Sequence, residues 1–162
     1  MRKAVCSGSF DPVTLGHVDI ITRASMMFDE VTVCVFSNVR KQPLFSVEQR
    51  MTLLREALSG LPNVKVASFS GLLTDFMAEY GANVIVRGIR SVRDLEYEQN
   101  EADLIRHLAP SVDTVFLLSR PEYSYVSSSA IRELVHFHGS VHGLVPAGVE
   151  RAVDELREKE RK

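Results

Sequence analysis

Ala4-Val5-Cys6-Ser7-Gly8-Ser9-Phe10-Asp11-Pro12-Val13-Thr14-Leu15-Gly16-His17 joins an apolar run to a turn and then to a helix start. Ala4 to Cys6 read as the end of a first strand. Ser7 to Pro12 read as a tight glycine turn, and Gly16 onward as a helix whose opening turn carries a glycine and a histidine. A junction of this kind aims backbone N–H groups and a positive helix end at whatever docks there, which favours an anion. Gly16 leaves room for a ligand to approach the backbone, and His17 adds a donor that can point at a phosphate oxygen. Neither GxxxxGK[ST] nor GxGxxG occurs in the chain, so a nucleotide held here is held without a P-loop.

Outward from this junction, short β-rich runs alternate with longer segments of helical period. Strands are expected near Lys3–Cys6, Val31–Phe36, Val64–Ser68, Asn83–Val86 and Thr114–Leu118. Helices are expected near Gly16–Met27, Val47–Leu58, Leu72–Tyr80, Asp94–Leu108, Ser128–Phe137 and Ala147–Glu160. Ser46 with Gln49 has the form of a capping box, and Gly60 and Gly81 fall just past helix ends, where a left-handed residue is often needed. The alternation predicts an α/β fold, a Rossmann-like, doubly wound, five-stranded parallel sheet with helices on both faces. Ligands of such sheets bind at the carboxyl ends of the strands, where strand order reverses. Ser9, Lys41, Arg87 and Tyr123 follow the first, second, fourth and fifth strands and so fall at that edge. No repeat, low-complexity tract or linker divides residues 1–162, which reads as one domain.

A quarter of the 162 residues are charged and the net charge is −2, which gives no general affinity for nucleic acid. An anionic substrate must then be held by a local basic cluster. Cys6 and Cys34 lie inside expected strands without metal or redox spacing and read as small buried thiols. No apolar run has signal-peptide or membrane-spanning length, so a cytoplasmic protein with no membrane partner is expected. His136, His138 and His142 are interrupted by Gly139 and Gly143 and lack a completing ligand set; no metal site is expected there.

Several residues invite a functional reading against a plain structural one. A lone helical histidine is usually a surface or packing residue, but the glycine turn ahead of His17 reverses that weighting. Arg87, Arg90 and Arg93 recur every three residues, and arginines at a helix start oppose its dipole unless an anion joins them; Arg93 reads as surface. Asp94, Glu96 and Glu98 read equally as an acidic helix N-terminus. One of Ser127, Ser128 and Ser129 serves as an N-cap by default.

Ser9-Phe10-Asp11-Pro12-x-Thr14-x-Gly16-His17 resembles the signature of the nucleotidyltransferase superfamily, and Thr14 within it resembles the phosphopantetheine adenylyltransferase family. Arg87-Gly88-Ile89-Arg90, Asp94-Leu95-Glu96-Tyr97-Glu98 and Tyr123-Ser124-Tyr125-Val126-Ser127-Ser128-Ser129 fit the same family in order and spacing, so the likeness spans most of the chain. Ser7 departs from it, because the family usually has proline before the glycine; the change removes no functional group. The resemblance implies transfer of AMP from ATP to 4′-phosphopantetheine, giving dephospho-coenzyme A and pyrophosphate. It implies that Ser9 contacts both substrates, that the Phe10 backbone holds the nucleotide, and that His17 contacts the α-phosphate and stabilises transition-state charge. It places a catalytic lysine at Lys41, bridging the two phosphates, with Arg40 a rival that spacing leaves open. By the same resemblance Arg87 binds phosphopantetheine and Leu73 its pantetheine arm. Gly88, Ile89 and Arg90 line the ATP site, with Arg90 also neutralising charge, and Glu98 contacts ATP. Tyr123, Ser124, Tyr125, Val126, Ser127, Ser128 and Ser129 would meet the β- and γ-phosphates. Magnesium would arrive with ATP, and a homohexamer with feedback by coenzyme A is implied. The alternatives are a related nucleotidyltransferase acting on another phosphorylated acceptor, such as nicotinate mononucleotide or glycerol phosphate, and a nucleotide-sensing module without turnover. A tRNA enzyme is more distant, since no tRNA-binding domain is evident.

Overall fold

The structure is a computed structural model that describes residues 1–36 and 42–161, so the expectations at Arg40 and Lys41 lie outside the described residues. Five strands, β1 (Lys3–Gly8), β2 (Glu30–Phe36), β3 (Val64–Phe69), β4 (Val84–Ile89) and β5 (Asp113–Leu118), form one parallel sheet in the order β3-β2-β1-β4-β5. Helices α1 (Leu15–Met27), α2 (Val47–Ala57), α3 (Leu73–Tyr80), α4 (Val92–Leu108), α5 (Ser128–His136) and α6 (Ala147–Glu160) complete the doubly wound arrangement. β2 is buried from Val31 to Val35 on both sides, which is why it reads as an unbroken β-branched run rather than an alternation.

Two cores flank the sheet. Ala4, Cys6, Val31, Val33 and Val86 pack with Ile21 of α1, Leu54 of α2, Ile131 of α5 and Val149 of α6. Val5, Cys34 and Ile85 face the other way onto Phe76 and Met77 of α3 and Ile105 of α4. The period of two along β1 thus sends Ala4 and Cys6 to one layer and Val5 to the other.

The sheet is split along its middle. β1 pairs with β2 through Gly8↔Val35, and β4 pairs with β5 through Ile89↔Leu118. β1 and β4 pair only at Ala4↔Val84 and Val5↔Ile85. Beyond Val5 their carboxyl ends part at the point where strand order reverses, the expected place for a ligand.

Where the elements differ from expectation, the causes are local. Arg87 and Gly88 belong to β4 rather than to a following loop, because they pair with Phe116 and Leu117. Ser7 and Gly8 likewise belong to β1, paired with Cys34 and Val35, so Ser7 is not part of the turn. α4 starts at Val92, two residues early, because Ser91 caps it by accepting a hydrogen bond from Asp94 N–H. Gly81 adopts the expected left-handed cap at φ 62°. Gly60 is not among the left-handed residues, since α2 ends on Leu58.

Burial pushes the thiols of Cys6 and Cys34 up to about 12, although the Arg87 charge partly offsets this at Cys6. A buried thiol with so little thiolate is inert. The native protein is expected to leave a thiol reagent such as DTNB unreacted at pH 8, and to titrate two thiols in denaturant. Rapid modification of the native chain would contradict the burial.

Candidate active site

β1 ends at Gly8, and the chain turns through Phe10, a non-glycine residue held at φ 46°. Thr14 then caps α1: its Oγ1 accepts from His17 N–H, and its own N–H donates to His17 Nδ1 at 3.0 Å. This is a capping box with an imidazole at the position usually held by Glu or Gln. Because Nδ1 accepts, the neutral ring carries its proton on Nε2. The Phe10 ring meets the imidazole edge-on, with centroids 5.0 Å apart. Although His17 keeps part of its surface open to the cavity, the protein packed around the ring and, secondarily, the nearby Arg90 charge together lower its pKa from 6.5 to about 4. His17 is therefore a neutral Nε2–H donor at physiological pH.

The turn is anchored from three directions. The Asp11 carboxylate, only 5 % exposed, accepts from Leu44 N–H and Phe45 N–H at 2.8 and 2.9 Å. Arg50 of α2, 4 % exposed, donates to the Ser9 carbonyl at 2.8 Å. From α5, Arg132 donates to the Asp11 carbonyl at 2.7 Å, and Ser128 Oγ donates to the Pro12 carbonyl at 2.8 Å.

Two cavities open at the split. One, of about 360 Å3, runs over the start of α1 and is lined by Ser9, Phe10, His17, Gly88, Arg90 and Glu98, together with Val126, Ser127, Ser128, Ser129 and Arg132. The other, of about 390 Å3, is mostly apolar, with Phe36, Leu72, Leu73, Leu104, Ile105 and Leu108 around Arg87. Ser7, Gly8, Ser9 and Arg87 belong to both linings and form the wall between them. Gly88 is required for close approach, because a Cβ there would lie 2.9 Å from Ile20 Cγ1 of α1.

Charges in the walls are paired with care. Arg87 donates to the Ser7 carbonyl at 2.7 Å and lies 3.2 Å from the Glu98 carboxylate. Burial raises the Glu98 pKa, against the opposing pull of Arg87. Arg90 is held by Asp94 at 3.1 Å and by the Val126 carbonyl at 3.2 Å, so a carboxylate on the first turn of α4 relieves the arginine cluster at that helix start.

The structure gathers most of the sequence-predicted residues but not all. Ser127 is the N-cap of α5, Ser128 Oγ is engaged with Pro12, and Ser129 Oγ accepts from Arg132 at 3.0 Å. Ile89 is buried, and its carbonyl accepts from Ser119 N–H. Ser124 Oγ donates to the Pro121 carbonyl within a short 3-10 turn (Pro121–Tyr123), and Tyr125 is 70 % exposed against Phe137 and Leu134. Ile89, Tyr123, Ser124 and Tyr125 are thus outside the lining of the polar cavity. Arg93, His136, His138 and His142 are exposed. Sequence reasoning missed Arg132, whose spacing three residues after Ser129 on α5 was the available signal. It also missed Arg50 and Asp11, whose long-range bonds to backbone leave no local trace.

A doubly wound sheet opened at its switch point, with a helix-opening imidazole and arginines around a polar cavity, defines a nucleotidyltransferase, and the cytidylyltransferase-like family matches residues 5–134. Phosphopantetheine adenylyltransferase of Symbiobacterium thermophilum is 53% identical over 159 residues, covering 98% of this chain and 96% of the relative. The proteins of that name from Shouchella clausii and Deinococcus radiodurans are 47% and 51% identical, covering 96% and 93% of this chain and 98% and 90% of their own lengths. A lipopolysaccharide core biosynthesis protein from Thermoplasma volcanium shares the fold, with TM-score 0.56 and 24% identity over 74% of this chain and 98% of its own. The chain belongs to the phosphopantetheine adenylyltransferase family.

The depressed His17 pKa has a signed consequence. Between pH 6.5 and about 4 the unfolded chain takes up a proton at this residue and the folded chain does not, so stability falls with acid across that window. His17→Gln keeps a capping-box partner but removes the titration. In denaturant unfolding, the wild type is expected to lose more stability than His17→Gln between pH 7 and pH 5. Equal losses would show that the ring titrates normally in the fold.

Proposed function

We propose that the protein transfers AMP from ATP to 4′-phosphopantetheine, giving dephospho-coenzyme A and pyrophosphate. The observation that carries this reading is the pair of cavities meeting at the wall of Ser7, Gly8, Ser9 and Arg87. The polar cavity has the donors a nucleotide's phosphates need. The apolar one has Leu73 for an extended arm and, at its inner end, Arg87 for a terminal phosphate.

In this reading an oxygen of the acceptor phosphate attacks the α-phosphorus of ATP, and the bond from that phosphorus to the bridging oxygen of pyrophosphate breaks. The second pKa of a phosphate monoester is about 6, so the nucleophile is already ionised near neutrality and needs no protein base. The chain's task is to hold two anions in line and to neutralise charge at the α-phosphorus. His17 does this by donating Nε2–H, which suits a ring that is neutral and fixed in one tautomer. Arg90 supplies positive charge from the same cavity lining, and Lys41 is assigned the bridge between the two phosphates. Glu98 and the Ser127–Ser129 segment contact the nucleotide, with Arg132 beside Ser129 as a further phosphate ligand. Magnesium would be carried on the phosphates of ATP, where it would add neutralisation of charge, while the hydroxyls, neutral imidazole and guanidinium groups of the cavity bind phosphate oxygens directly.

The same reading includes a homohexamer and competition by coenzyme A at the apolar cavity. Exposed apolar side chains on α4 and β5, among them Val92, Leu104, Leu108 and Leu118, offer surface for contacts between copies. The reading places the protein in the cytoplasm; among the described residues no helix is long and apolar enough to cross a membrane.

Pyrophosphate release should be measured with ATP, magnesium and 4′-phosphopantetheine, beside nicotinate mononucleotide with ATP and glycerol 3-phosphate with CTP. Turnover is expected with phosphopantetheine alone. His17→Ala is expected to lower kcat by about a hundredfold or more, the usual cost of removing one positioned charge-stabilising donor. Turnover with another acceptor would reassign the apolar cavity, and ATP binding without turnover on any acceptor would make the protein a sensor.

A further inference from the structure

Ser7 stands on the wall shared by the two cavities. Its backbone is engaged: it lies opposite Cys34 in the β1–β2 ladder, and its carbonyl accepts from Arg87 Nη1 at 2.7 Å. Its hydroxyl is not. Ser7 Oγ is shielded from solvent and has no hydrogen-bond partner among the described residues. Leaving a shielded hydroxyl unpaired destabilises the folded chain, and folded proteins seldom do so. Packing does not ask for it either. Val5, two residues back on the same face of β1, is apolar and fully buried, and an alanine at position 7 would continue that face without the unmet hydrogen bond.

We propose that the Ser7 hydroxyl is a hydrogen-bond donor to the phosphate end of the acceptor substrate. The inference rests on the reading of the two cavities as nucleotide and acceptor sites. At their shared wall the acceptor's phosphate has to lie, because only there can it meet the α-phosphate of the nucleotide. Arg87 grips Ser7 by its carbonyl, so guanidinium and hydroxyl sit on one short piece of wall and offer a charged and a neutral donor to the same anion. Phosphate oxygens only accept, which fixes the hydroxyl as donor. Rotation of the side chain between staggered positions brings Oγ from its shielded place to the ligand. A bond to a phosphate oxygen that does not react is made before transfer and kept during it, so the contact governs binding rather than turnover.

Ser7→Ala and Ser7→Thr separate this from a packing role. Ser7→Ala is expected to raise KM for 4′-phosphopantetheine about tenfold, the worth of one hydrogen bond to a charged group. It should leave kcat and KM for ATP within about twofold of the wild type, as loss of uniform binding requires. Ser7→Thr keeps the hydroxyl and is expected to restore the acceptor KM. Without ligand, Ser7→Ala is expected to melt about 2–4 °C higher than the wild type, because the unpaired group is gone. An unchanged acceptor KM, or an equal rise in both KM values, overturns the proposal. Failure of the unmutated protein to use phosphopantetheine would overturn the substrate reading itself, and the ligand-free melting temperatures distinguish that case by reporting on the hydroxyl alone.

Discussion

A ladder of hydrogen bonds that stops after two residue pairs is the constraint on which this molecule depends. β1 and β4 are neighbours at the centre of the sheet, yet they pair only at Ala4↔Val84 and Val5↔Ile85. Each continues on its outer side, to Gly8 in β1 and to Ile89 in β4. The inner backbone groups of the parted strands must then be satisfied by something other than a sheet. Arg87 reaches back to the Ser7 carbonyl, and in doing so places a guanidinium in the opening. The same parting admits α1, whose Ile20 needs the missing side chain of Gly88 in order to lie close to β4. The cavity is a consequence of strand order made available by one short pairing.

The turn that crosses this opening is equally dependent on remote groups. The carbonyls of Ser9, Asp11 and Pro12 accept from Arg50, Arg132 and Ser128, which come from α2 and α5. Asp11 in return receives the backbone N–H groups of Leu44 and Phe45 ahead of α2. Unsatisfied buried polar groups cost about 1–3 kcal/mol each, against a total stability of about 5–15 kcal/mol for a typical domain. Losing two or three of these bonds would consume much of the folded state's margin. The bonds that shape the site are therefore among those that hold the layers together.

The parts of this architecture that local chemistry determines were readable in the sequence. β-branched runs marked the strands, Ser46 marked a helix start, and Gly81 marked a helix end, whereas the cap at Thr14 emerged only in the structure. The glycine turn and His17 could be placed at the sheet edge for the same reason. Features that depend on a neighbouring strand could not. Arg87 and Gly88 look like loop residues until β5 pairs with them, and Ser7 looks like a turn residue until β2 does. Gly60 lacks the left-handed backbone that its position suggested, because α2 had already closed at Leu58. Arg50 and Arg132 resembled ordinary helical arginines, since their partners lie 41 and 121 residues away in the chain. Burial of a long-range polar bond has no period and no motif.

The capping box at Thr14 and His17 ties two properties that most proteins keep apart. The bond that starts α1 is also the bond that decides which ring nitrogen carries the proton. A drifting sequence cannot exchange this histidine for a more ordinary helix-starting residue, nor move the helix start by one position, without turning the ring or removing it. Foldability and reactivity are thus inherited as a single trait at this corner, and selection for either one preserves the other.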